Sequence, residues 1–190
     1  LGTEKVVPYF DLSFQHAARP VLRAMRRFGD ADSFLDLIGQ IRSAAPRAGI
    51  RSNVIAGFPG ETEADVETLR RFIVDASLDV LGVFGYSDED GTEGVGLPGH
   101  LPEDEIEERR AVLADVAVDV CEARAADRVG EGVVVLVEST DGEVVGRAEH
   151  QAPETDGAVT LTGVGDARVG RLVPARVVDS AGIDLIAEAL

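Results

Sequence analysis

Three apolar runs in the first half of the chain each end in residues able to contact a ligand. Tyr9-Phe10-Asp11-Leu12-Ser13-Phe14-Gln15-His16 sets a carboxyl, an amide and an imidazole just past the first run. Asn53-Val54-Ile55-Ala56-Gly57-Phe58-Pro59-Gly60-Glu61-Thr62 reads as a buried strand that stops at a glycine-proline-glycine turn and feeds a capped helix. Tyr86, Ser87 and Asp88 follow the third run. In parallel α/β folds ligands meet the carboxyl ends of the strands. Sequence order alone therefore gathers Asp11, Gln15, His16, Gly57, Phe58, Tyr86, Ser87 and Asp88 on one rim. Other chemistries find little support. The glycine turn is not a phosphate loop: it has no Gly-Lys-Ser/Thr, and Glu63 and Asp65 would repel phosphate from that helix start. No Ser-His-Asp set or nucleophile elbow is present, and His100 and His150 have no second ligand at metal spacing. Plainer readings stand beside these. The Gly57–Gly60 stretch can be a tight turn, His16 a satisfied structural histidine, and Asp88-Glu89-Asp90 a solvated turn.

The elements that must position the rim follow from periodicity. Residues 5–10 suit a short buried strand. Pro20 opens a helix with Val21, Met25 and Phe28 on one stripe, Arg23, Arg26 and Arg27 off it, and Gly29 as the stop. A second helix starts at Ser33, with Asp36 completing a capping-box-like pair and Phe34, Leu37, Ile38 and Ile41 facing the core. A strand at 51–57 leads to a helix capped by Thr62 with Asp65, whose buried face is Val66, Leu69, Phe72, Ile73 and Ala76. Asp79 to Tyr86 is another strand. The order strand, helices, strand, helix, strand implies parallel strands with right-handed crossovers, an α/β layer or barrel. After a Gly-, Asp- and Glu-rich loop at 87–102, a long helix runs from Pro102–Glu103 to about Arg128, with Ile106, Leu113, Val116, Val120 and Ala123 as its apolar row and an acidic first turn. From Gly130 the period changes. Val133–Val137, Val144–His150, Val159–Thr162, Leu172–Val178 and Ile183–Glu188 read as short strands, with Asp141-Gly142 as a hairpin turn, so a small closed barrel of the oligonucleotide-binding type is expected. Pro174 inside one run asks for an edge or a bulge.

Composition sets outer bounds. The chain has 190 residues, 45% of them hydrophobic, which suits a packed core. Its formal net charge is −17, and Lys5 is the single lysine. That acidity disfavours free-standing affinity for nucleic acid, whose phosphates need a basic surface, and fits a basic protein partner better; it also keeps a chain in solution. Cys121 is the one cysteine, so no intramolecular disulfide forms, and its apolar helical setting suits a small buried thiol. No stretch is long enough to span a membrane. The start at Leu1-Gly2 suggests a fragment or processed product, and cytoplasm is the simplest location.

Several of these stretches resemble the methylthiotransferases, a family of radical S-adenosylmethionine enzymes. Asp11-Leu12-Ser13-Phe14-Gln15-His16 followed by Leu22-Arg23-Ala24-Met25-Arg26-Arg27 is similar to their Asp-x-Pro-x-Gln-His…Leu-x-x-Met-x-Arg stretch, with Ser13 in place of the proline. Gly57-Phe58-Pro59-Gly60-Glu61-Thr62 matches their Gly-Phe-Pro-Gly-Glu-Thr, and Tyr86-Ser87 with Glu89-Asp90-Gly91-Thr92 resembles their Tyr-Ser-x-Glu-x-Gly-Thr. The likeness continues through the long helix and a terminal barrel that looks like a TRAM domain. Gly146-Arg147 with Ala152-Pro153-Glu154-Thr155-Asp156-Gly157 is similar to the branch that modifies an aspartate of ribosomal protein S-twelve. From Val129 on, four arginines stand against eleven carboxylates, a balance suited to a basic protein rather than to RNA phosphates.

The resemblance implies a division into the C-terminal part of a partial (β/α) radical S-adenosylmethionine barrel at 1–100, a linker helix at 101–128 and a substrate-recognising TRAM barrel at 129–190. It implies that the intact enzyme uses S-adenosylmethionine and two 4Fe-4S clusters to methylthiolate an aspartate of the basic ribosomal protein S-twelve. Gln15, His16, Asn53, Gly57, Phe58 and Phe84 would line the cofactor side of the mouth, Phe58 packing on adenine and Gln15 and His16 bonding polar parts of cofactor or substrate. The family's Cys-x-x-x-Cys-x-x-Cys is not among these residues, so no cluster and no turnover are expected of this fragment alone. The alternatives are a transfer RNA adenosine as substrate and a non-catalytic interaction module. The open edges of a three-stranded parallel sheet predict self-association.

Overall fold

The computed structural model describes residues 6–190, so Lys5, the first position of the expected strand at 5–10, lies outside them. Three strands, β1 (Tyr9–Asp11), β2 (Gly49–Ala56) and β3 (Val80–Gly85), form a parallel sheet in the order β1-β2-β3. Tyr9 stands opposite Gly49 and Arg51 opposite Val80. The crossovers are α1 (Arg19–Ala24), α2 (Ala31–Ala44) and α3 (Glu63–Ala76), and α4 (Glu103–Ala126) follows the sheet. Period-two alternation in β2 turns Ile50, Val54 and Ala56 into a core shared with Ile38 and Ile41 of α2, Leu69, Phe72 and Ile73 of α3, and Leu113 of α4. Arg51, Asn53 and Ile55 are left on the other face, half-buried.

Helix caps decide where the crossovers begin. Thr62 caps α3 in a reciprocal capping box with Asp65, as the sequence predicts. The cap of α2 differs: Asp30 is the N-cap, its carboxylate accepts from the Ser33 N–H at 2.9 Å, and the Asp30 N–H donates back to the Ser33 hydroxyl. Ser33 is thus the third helical residue rather than the cap, and Asp36 takes no part; a carboxylate three residues earlier already satisfies the free amide. Leu37 is largely exposed. In α1 the expected stripe breaks, because the helix stops at Ala24 and Arg26 takes a left-handed φ of 57°, leaving Phe28 95% exposed. The buried row of α4 is Leu113, Ala117, Cys121 and Ala125, spaced by four, while Ala123 faces out. Val116 and Val120 are partly buried and pack on the same core, so of the expected row only Ala123 turns away. Burial pushes the Cys121 thiol up to about 11.

The C-terminal unit is a closed five-stranded barrel of β4 (Gly132–Ser139), β5 (Val144–Ala148), β6 (Val159–Thr162), β7 (Leu172–Ala181) and β8 (Asp184–Ala189) in the order β4-β5-β6-β8-β7. β6 and β8 run parallel and the other pairs antiparallel, the arrangement expected of an oligonucleotide-binding-type barrel. Gly142 takes φ 89° in the β4–β5 turn. Pro174 is neither on an edge nor in a bulge: β7 pairs on both sides, its irregularity lies at Val177/Asp179, and the Pro174 carbonyl accepts from the Leu190 N–H at the end of the β7–β8 ladder. β5 stops at Ala148, so His150 lies in the following turn and not on a strand.

The barrel docks at the amino ends of β1–β3. Arg128, just past α4, has a side chain only 2% exposed and pairs with Asp79 at the foot of β3 and with Glu131. The second Asp79 oxygen accepts from the Ile50 N–H at 2.9 Å. Tyr9 Oη donates to Asp156 at 2.5 Å, and Arg51 reaches the Thr155 hydroxyl at 2.9 Å. Gly49 lies so close to the barrel that a Cβ there would sit 2.2 Å from the His150 carbonyl oxygen. At the other end of α4, Ile106 packs on Gly57, which has φ 79°.

Two outcomes follow. Burial drives the His150 imidazole from its ordinary 6.5 down to about 3, with Arg128 adding and Asp79 opposing. The unfolded chain therefore takes up this proton first, and stability falls as pH drops from about 6.5 towards 3. His150→Gln should lessen the acid fall in the urea midpoint between pH 7 and pH 4; an unchanged slope contradicts it. Gly57→Ala combines a left-handed φ with a Cβ 2.7 Å from Ile106 Cγ1, and urea unfolding should show a loss of at least about 2 kcal/mol.

Candidate functional site

The carboxyl ends of the three strands converge on one open cleft of about 700 Å³. Gln15 extends the first wall beyond β1. Its N–H donates to the Asn53 carbonyl at 2.9 Å, its carbonyl accepts from the Ile55 N–H at 2.8 Å, and it bridges in parallel to Val54. To do so it adopts a left-handed φ of 68°, a conformation that costs a non-glycine residue about 1–2 kcal/mol. Asn53 and Ile55 of β2 and Phe84 of β3 form the floor, and Phe84 is 56% exposed. Phe58, in the turn after β2, meets Tyr86 edge-to-face at a centroid distance of 5.2 Å. Burial pushes the Tyr86 hydroxyl up to about 12, helped by its donation to Asp88 at 2.8 Å. That hydrogen bond and His100 hold the Asp88 carboxyl below its usual range. Arg26 and Glu93 pair at the mouth at 2.5 Å.

One polar atom on this floor has no partner. Asn53 Oδ1 is buried and accepts no hydrogen bond among the described residues. Gly82 makes its position possible, since a Cβ there would lie 2.5 Å from that oxygen. A buried unpaired acceptor costs about 1–3 kcal/mol unless something donates to it. Phe58, Phe84 and Ile55 offer this cleft apolar surface on which a flat ring can pack.

Of the six residues assigned to the mouth, Gln15, Asn53, Phe58 and Phe84 line the cleft, and Tyr86 and Ser87 join them. His16 and Gly57 do not. His16 is fully buried behind the wall, its Nδ1 accepting from the Ala18 N–H at 2.9 Å and its Nε2 3.0 Å from Glu61 Oε2. The Gly57 N–H donates to Glu61 Oε1 at 2.9 Å, and Arg109 of α4 donates to the same oxygen at 2.9 Å. Asp11 is exposed at the end of β1, outside the cleft. Met25, Arg26 and Arg27 after α1, and Glu89, Thr92 and Glu93 in the loop after β3, also border the cleft. The Leu-x-x-Met-x-Arg and Glu-x-Gly-Thr stretches of the resemblance were the available signal for them. Glu61 had passed as part of a turn, and nothing in the sequence pointed to Arg109.

The TRAM domain family model matches residues 129–190. Three curated proteins named ribosomal protein uS12 methylthiotransferase RimO resemble the chain closely. The one from Cutibacterium acnes is 57% identical over 98% of this chain and 39% of its own length. Those from Streptomyces avermitilis and Streptomyces coelicolor are 58% and 59% identical over 100% of this chain, again 39% of theirs. Among solved structures, Escherichia coli coproporphyrinogen III oxidase HemN, described as a radical SAM enzyme, superimposes with a TM-score of 0.48 and 12% identity over 75% of this chain and 39% of that one, a likeness too distant to bear on the fold. Residues 129–190 match the TRAM domain family, and essentially the whole chain is similar in sequence to the RimO proteins, spanning 39% of the length of these relatives.

Proposed function

We propose that the chain serves as the cofactor-facing wall and substrate-gripping barrel of a radical S-adenosylmethionine methylthiotransferase that modifies an aspartate of ribosomal protein uS12, in the cytoplasm. The observation that carries this is identity of 57–59% through essentially the whole chain to proteins of that name. The three-stranded sheet is read as the last strands of a partial (β/α) barrel at 1–100, α4 as the linker within 101–128, and 129–190 as the recognition domain. The strand–helix order and the cleft at the carboxyl ends support that reading.

When bound, S-adenosylmethionine with its 4Fe-4S cluster supplies the radical chemistry, and two clusters serve the intact enzyme. The residues described here do not hold a cluster. Such sites need several thiolates, and Cys121 is buried on the inner face of α4 with its thiol pushed up to about 11. What this chain contributes is placement. Asn53 and Gln15 would offer polar groups to the cofactor, and Phe58 and Phe84 would pack on its flat part. Tyr86, fixed to Asp88, closes the apolar edge and excludes water.

Substrate recognition falls to the acidic barrel. Its eleven carboxylates outnumber four arginines, which favours a basic protein and disfavours RNA phosphates. The barrel sits at the foot of the sheet, and α4, with 24 residues, spans about 36 Å between the two regions. A protein that binds the barrel must therefore send an extended segment to the cleft. Among the described residues the outer edges of β1 and β3 are unpaired and open to a further strand, of the same longer protein or of a second copy.

The test is a chimera in which these residues replace the matching stretch of the Streptomyces coelicolor relative, reconstituted with iron, sulfide and S-adenosylmethionine. Mass spectrometry should find a methylthio group on an aspartate of uS12. Asn53→Ala should slow its appearance at least tenfold, and the 190-residue chain alone should give none. Modification of transfer RNA in place of uS12, or turnover by the chain alone, contradicts the proposal.

A further inference from the structure

Behind the cleft lies a polar chain whose centre, His16 and Glu61, is fully buried, and whose branches end on cleft-lining segments and on α4. The side chains of His16 and Glu61 are both fully buried. Hydrogen-bond arithmetic fixes their protonation pattern. The Ala18 N–H donates to His16 Nδ1, so the imidazole proton sits on Nε2 and is donated to Glu61 Oε2. Glu61 Oε1 accepts from the Gly57 N–H and from Arg109. Arg109 also donates to the Glu61 carbonyl at 3.0 Å and to Glu105. The Glu61 N–H donates to the Phe58 carbonyl at 2.9 Å and closes the turn that carries Phe58. One carboxylate thus joins the segment before α1, the turn after β2 and the linker helix.

We propose that Glu61 is a positioning residue for the cleft, with His16 and Arg109 as its partners. This rests on the reading of the cleft as the S-adenosylmethionine wall. Through His16 it braces Gln15, whose left-handed backbone persists only while its surroundings over-determine it. Through Gly57 and the 58–61 turn it sets the height of the Phe58 ring. Arg109 neutralises the buried charge from α4, so the helix that leads to the barrel also holds the cleft wall.

The arrangement is intolerant of an isosteric amide. In Glu61→Gln, the side-chain NH2 must face either His16 Nε2–H or the Gly57 N–H with Arg109, and donors meet donors in both cases. Switching the histidine tautomer only moves the clash to the Ala18 N–H. Glu105→Gln is the control: it loosens Arg109 from the solvent side and leaves every acceptor of the chain in place.

Two readouts test this. In the 190-residue chain, amide hydrogen exchange at Gln15, Ala18 and Gly57 should accelerate at least tenfold in Glu61→Gln relative to the barrel amides of Val133–Val137, and not in Glu105→Gln. In the chimera, Glu61→Gln should raise the S-adenosylmethionine concentration for half-maximal rate at least tenfold, and Glu105→Gln less than twofold. Unchanged exchange at those three amides overturns the positioning role, whatever the cofactor does. Accelerated exchange in a chimera whose unsubstituted form binds no S-adenosylmethionine keeps the brace and overturns the reading of the cleft.

Discussion

Two buried carboxylates, Glu61 near the top of the sheet and Asp79 at its foot, fix α4 and everything attached to it. Each faces a guanidinium from the helix or its immediate continuation, Arg109 at one end and Arg128 at the other. Those positions are separated by about 28 Å of helix. A desolvated charge is costly to hold and far costlier to leave alone, so these contacts fix the register of the helix on the sheet more specifically than its apolar face does. Each carboxylate also accepts a backbone amide of the sheet layer, Gly57 for Glu61 and Ile50 for Asp79. Helix, strands and turns are thereby indexed to one another at two points.

The consequence for function is geometric. The cleft opens at the carboxyl ends of the strands and the barrel packs beneath their amino ends. The Ala152–Gly157 stretch, which resembles a signature of the branch acting on a ribosomal protein, is largely committed to that joint: Asp156 binds Tyr9 and the Ala152 N–H, and Gln151 bonds the Ala148 N–H. Its side chains set where the barrel sits.

Much of this was legible in the sequence, for identifiable reasons. Period-two alternation gave β2, a Thr-x-x-Asp box gave the start of α3, and Asp141-Gly142 gave the first hairpin of the barrel. Strand order alone brought Gln15, Phe58 and Tyr86 to one end of the sheet. What stayed hidden depends on contacts distant in sequence. Arg109 meets Glu61 across 48 positions and Arg128 meets Asp79 across 49. No local pattern marks either arginine among the helix's other charges. The buried face of α4 takes in Ala117, Cys121 and Ala125 beside the expected Leu113, Val116 and Val120, because spacings of three and four both describe an apolar face and only the sheet beneath selects between them. His16 looked like a cleft residue because it follows Gln15; the left-handed turn at Gln15 sends the two side chains to opposite sides of the wall.

The most direct test is a pair of double-mutant cycles, Glu61 with Arg109 and Asp79 with Arg128, each read by urea unfolding of the chain. Indexing of α4 by buried ion pairs predicts a coupling energy of about 2 kcal/mol or more within each pair. Single substitutions that simply add within a pair would show that the apolar face holds the helix unaided, and would contradict the account.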